Sequence, residues 1–117
     1  MTTYHDILRM LVVHDLDLMA AIQVAEGAPR PADPLDARSR SIARVAALVA
    51  HDGAVETFDW TIGDALDAGV SADEIVGILL AVAPLVGVAR IVSSAPKVGL
   101  ALGYDLDAAL EVPDGPP

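Results

Sequence analysis

The chain contains no cysteine, which removes disulfide bonds, thiolate catalysis and thiolate metal sites together. Peroxide reduction through a sulfur nucleophile is excluded on that ground alone. Bases are scarce as well: seven Lys and Arg stand against 17 Asp and Glu, and the resulting net charge of −10 repels phosphate backbones and anionic headgroups. Neither nucleic acid nor a membrane surface is an expected partner. Aromatic residues are limited to Tyr4, Phe58, Trp60 and Tyr104, so the core has to be built from Ala, Val, Leu and Ile. No stretch of useful length alternates with period two, which argues against strands. The longest apolar run, Ile75 to Ala89, is shorter than the roughly 18 to 20 residues that span a bilayer, and Gly77, Pro84 and Gly87 interrupt it.

What is present is an excess of aliphatic residues. Hydrophobic residues make up 54% of the 117 and mean hydropathy is +0.51, more apolar surface than a small monomer hides. A homo-oligomer is the expected outlet. The length suits one domain, residues 1–117, burying roughly 65% of the unfolded chain's surface. The N-terminus has no basic start, and Asp6, His14, Asp15 and Asp17 interrupt its apolar residues. It reads as an amphipathic helix rather than a secretory leader, which makes a cytoplasmic location the expectation.

Apolar spacing predicts a helix over 4–26, followed by the linker "GAPRPADP" at 27–34, whose Asp33 is a candidate N-cap with Pro34 at the first helical position. From Leu35 to about Ala50, Ile42, Val45, Ala46 and Val49 form one stripe, with Asp36 and Arg40 spaced to pair outside it, and Gly53 is the expected left-handed cap. A further helix over about 54–68 stops at Gly69. Ser71 and Glu74 then form a capping box that opens the apolar run. A helix over about 88–102, containing Pro96, and a short one capped near Asp105 precede the tail "VPDGPP". The fold expectation is an all-α bundle of five to six helices.

The segments "LDARSRSIARVAALVA" and "ALDAGVSADEIVGILLAVAPLVGVAR" resemble the carboxymuconolactone decarboxylase and AhpD-like family over about residues 35–102, with "AL..GVS..EI" as the most specific part. The resemblance implies an all-helical fold assembled as trimers or hexamers. It also implies a reactive helix bearing Cys-x-x-Cys-x-x-x-His. In this chain those positions fall on Ala54, Thr57 and Thr61, the family's upstream Glu falls near Ser41, and the decarboxylase branch's second His near Ala81. Neither the thiol chemistry nor the imidazole chemistry of the family has its residues here.

Other residues become candidates. Glu56, Trp60 and Asp64 recur every four residues on one helical stripe, with Asp59 beside them. A carboxyl desolvated by an indole face is a possible general acid or base, while the alternative is that Trp60 is a core or interface anchor with a solvated acidic edge. Arg90, Ser94 and Lys97 form a polar stripe in apolar sequence. Arg90 and Ser94 suit a substrate carboxylate, or Arg90 pairs with Glu56 or Asp64. His51 is a possible base, or a residue that satisfies the last carbonyls of its helix.

His5 and His14, nine apart, share no helix face, so no metal site is expected and no cofactor is implied. Two functions follow from these residues. One is a cofactor-free lyase or isomerase for a small organic acid or lactone, with Glu56, Asp64 or His51 moving a proton and Trp60, Arg90 and Ser94 binding substrate. The other is a non-catalytic ligand-binding or scaffolding oligomer.

Overall fold

A computed structural model describes residues 3–23 and 34–111. Residues 27–33 of the expected linker at 27–34, its Asp33 cap and the tail from 112 lie outside the described residues. The chain divides into two compact units, Met1–Pro34 and Leu35–Pro117. The described residues form seven α-helices and no strands.

The first unit holds α1 (Tyr4–Val12) and α2 (Leu16–Ile22), where a single helix had been expected. The break has a local cause. His14 adopts a left-handed backbone, φ 57°, and Asp15 behind it accepts a hydrogen bond from the Leu18 amide at 3.0 Å, starting a new helix. Asp is a strong N-cap, and here capping outcompetes helix continuation. At the front of α1 a capping box joins Thr3 and Asp6.

The second unit carries α3 (Ala37–His51), α4 (Val55–Asp67), α5 (Ala72–Val86), α6 (Val88–Ala101) and α7 (Leu106–Leu110). Helices α3 and α6 each pack against both α4 and α5, so the bundle closes in the order α3, α4, α6, α5, and α7 lies on α6. Its core is Val45 and Val49 of α3, Phe58, Ile62 and Ala65 of α4, Ile75, Ile78 and Leu79 of α5, and Val98 of α6, with Val70 from the α4–α5 turn. These recur at three- and four-residue spacing, as one buried stripe per helix requires.

Asp36, not Asp33, caps α3. Its carboxylate accepts from the Ser39 amide at 2.7 Å, and that hydrogen bond, helped by Arg38 and Arg40, holds its pKa below the usual carboxylate range. The box opening α5 forms as expected, with the Glu74 amide donating to Ser71 Oγ at 3.1 Å and the Ser71 amide to Glu74 Oε1 at 3.0 Å. Arg38 of α3 pairs with Glu74, joining the first turns of α3 and α5. The left-handed residue that ends α3 is Asp52 (φ 55°), not Gly53. Gly53 serves close approach instead: a Cβ there would lie 2.8 Å from Leu48 Cδ2.

Candidate functional site

The corner between α3 and α4 carries a connected set of polar side chains. Asp52 leaves α3 in the left-handed conformation, which Asp tolerates better than most residues. Its Oδ1 accepts from Ser93 Oγ at 2.6 Å and from Lys97 Nζ at 2.9 Å, both one turn apart on α6. Lys97 Nζ also donates to the Gly53 carbonyl at 2.7 Å and sits 5.7 Å from the Phe58 ring centroid, a cation–π distance. One ammonium thus ties α6 to the end of α3 and the start of α4.

The hydrogen bonds from Ser93 and Lys97, with smaller help from the charges of Lys97 and Arg90, hold the Asp52 carboxyl below its ordinary pKa. A carboxylate so stabilised is a weak base, and a hydroxyl that donates to it is poorly activated for attack. The cluster is built to fasten three elements.

The sequence candidates are distributed unevenly around this corner. Glu56, Trp60 and Asp64 do share a stripe of α4, but it faces away from the core. The buried side of that helix is Phe58, Ile62 and Ala65, while Glu56 and Asp64 are exposed and Trp60 is 75% exposed. His51 ends α3 and is exposed, a favourable position for a basic group at a helix C-terminus.

The expected polar stripe of α6 divides. Lys97 reaches the corner, Arg90 is exposed within electrostatic range of Asp52, and Ser94 is fully buried with no hydrogen-bond partner for its hydroxyl. Ser93 rather than Ser94 joins Lys97, because Ser93 and Lys97 are four residues apart and stack on one side. Nothing in the local sequence singles out Asp52, the neighbour of His51. Its partners are 41 and 45 residues away, and only the packing of α6 against the corner reveals the link.

The positions onto which the resemblance carries the reactive helix also lie here. Ala54 is the N-cap of α4 and offers no side-chain cap, Thr57 is exposed, and Thr61 is half-buried. Among the described residues no group of three His, Asp or Glu side chains is arranged to hold a metal ion, and no helix is long and apolar enough to cross a membrane.

On the opposite flank of α6 lies an apolar groove of about 520 Å³ between α5 and α6. Ala72, Val76 and Leu79 form one wall. Ala95, Val98, Gly99 and Leu102 form the other, and Gly103 and Tyr104 close the end. None of the sequence candidates lines it.

An all-helical unit, with α4 following a tight corner and a capping box opening α5, defines the class of domain. The model of the carboxymuconolactone decarboxylase family matches residues 17–97, and the chain belongs to that family. The match begins earlier than the resemblance around residue 35, taking in α2, and ends within α6. No curated protein and no solved structure matches the chain.

Proposed function

We propose that this member of the family works as a homo-oligomer that binds or scaffolds, without the thiol or imidazole chemistry of the family's reactive helix. The observation that carries the reading is the outward stripe of α4. Trp60 is 75% exposed, and Glu56 and Asp64 beside it are exposed too. A general acid or base works best in a water-excluded pocket, and within one chain this stripe is open to solvent. An exposed indole rimmed by acids is instead a suitable contact anchor, because Trp is enriched at the centres of interfaces. Assemblies of three or six copies are the expected sizes, in line with the family resemblance.

The second reading is a cofactor-free lyase for a small organic acid or lactone, and one observation favours it. Arg90 and Lys97 set two cationic groups on α6 close to Asp52 and the start of α4, a place where a substrate carboxylate would be welcome. In that mechanism Arg90 anchors the anion, Glu56 or Asp64 moves the proton and Trp60 walls the site.

Two measurements decide between the readings. Sedimentation equilibrium of the native protein tests assembly, and a single-chain mass of 12.1 kDa would defeat the first reading. Turnover of a carboxylated lactone, compared among the native chain, Glu56→Gln and Arg90→Ala, tests the second. The first reading expects no turnover in any of the three; native turnover abolished by either substitution establishes the lyase.

A further inference from the structure

The groove between α5 and α6 is one half of a larger apolar face. Along α6, Val88, Val92, Ala95 and Gly99 recur at i, i+4, i+7 and i+11 and so share one side of the helix. Ala95 and Gly99 line the groove, while Val88 and Val92 are 74% and 65% exposed. On α5, Ala72 and Val76 line the groove, and Leu80, the next residue of the same series, is 71% exposed. The two helices run antiparallel from the Gly87 turn. The face therefore has a ridge of Leu80, Val88 and Val92 near the turn and a trough of small side chains at the far end.

Charge is missing from all of it. Residues 75–89 contain no Asp, Glu, Lys or Arg, and Tyr104 is the one polar side chain in the groove wall. The exposed parts of Val76, Leu80, Val88, Val92 and Tyr104 amount to roughly 500 Å², more than scattered surface residues account for and most of the ~800 Å² that one partner contributes to a stable interface.

We propose that this face binds a second copy of itself about a two-fold axis, with the ridge of each copy seated in the groove of the other. The geometry is self-complementary. Ridge and groove lie at opposite ends of one helix pair, so a rotation of 180° about an axis through the middle of the face, near Ala95, brings both into register at once. Electrostatics favours the same partner. Two chains of charge −10 repel each other over most of their surfaces, and approach is least opposed where neither presents a charge. The proposal rests on the oligomer reading above and sharpens it, because a two-fold contact requires an even number of copies.

The test is sedimentation equilibrium of the native chain, Val92→Glu and Ala95→Leu, with the helical circular dichroism and melting of each recorded alongside. Val92→Glu buries a carboxylate in the contact, and Ala95→Leu fills the groove that receives the ridge. Ala95 is exposed, so its substitution leaves the bundle core intact and keeps the test valid if Val92→Glu fails to fold. The expected result is an even-numbered native assembly whose mass falls at least twofold in each folded variant. A folded variant that keeps the native mass would overturn the two-fold contact while leaving the oligomer reading standing, and would mean that a small apolar ligand or a foreign partner covers the groove. A native assembly of three copies would do the same. A native monomer would defeat both.

Discussion

The two flanks of α6 are made from one helix and behave in opposite ways. Toward the α3–α4 corner it presents Ser93 and Lys97, and both are consumed inside the chain by Asp52 and the Gly53 carbonyl. Toward α5 it presents Val88, Val92, Ala95 and Gly99, which leave a groove and a ridge uncovered. The polar flank is internally satisfied, and the apolar flank is not. Hydrogen-bonded polar side chains at the surface need no further partner, whereas aliphatic side chains grouped in an exposed patch point to a contact. The polar flank therefore serves the fold, and the apolar flank is open for the association proposed above.

The largest expected effect comes from the ring beneath the polar flank. Phe58 is fully buried and lies below the Lys97 ammonium, so Phe58→Ala should cost about 3–5 kcal/mol of stability by urea denaturation. A loss below about 1 kcal/mol would show that the corner is looser than the packing implies.

Next in size, Ser71→Ala removes the reciprocal cap of α5 and should cost about 1 kcal/mol.

Ser94 offers a change of opposite sign. Its buried hydroxyl has no partner, so Ser94→Ala relieves a desolvated polar group and should be neutral or stabilising by up to about 1 kcal/mol. A clear destabilisation would instead identify the hydroxyl as bonded, for example to a buried water.

The smallest effect is a pH dependence. The folded-state pKa of Asp52 lies below its ordinary value near 3.8, so its contribution is fully present above the unfolded pKa and is lost as the pH falls through the lower, folded value. Melting temperature should therefore drop on acidification below about pH 4, and Asp52→Asn should flatten that part of the profile. Asp36 is shifted in the same direction by Ser39 and leaves a residual slope in the variant.

Most of the fold was legible because it depends on local patterns. Apolar spacing locates the helices of the second unit, and Ser71 with Glu74 marks the start of α5. The misses were also local, and each was a competition between neighbours. Asp15 outbid continuation of the first helix, Asp36 outbid Asp33, and Asp52 took the left-handed position expected of Gly53.

The candidate site was far less legible. Helical periodicity found the stripe of Glu56, Trp60 and Asp64, but it does not say which side of α4 the bundle buries. Phe58, Ile62 and Ala65 decide that. Pairing Arg90, Ser94 and Lys97 by spacing missed that Ser94 turns inward, and no spacing rule connects Asp52 to residues more than 40 positions away. The groove is a product of two helices meeting, with no signature in either alone.

Whether the apolar flank of α6 receives a second copy of this chain can be read from the masses of two variants in solution. Lys97→Met strikes the polar flank and Val92→Glu the apolar one, six residues of the same helix being enough to separate the roles. The account predicts that Lys97→Met lowers the melting temperature and keeps the native mass, whereas Val92→Glu keeps its helical signal and loses subunits. Dissociation by Lys97→Met together with an intact assembly in Val92→Glu would contradict it.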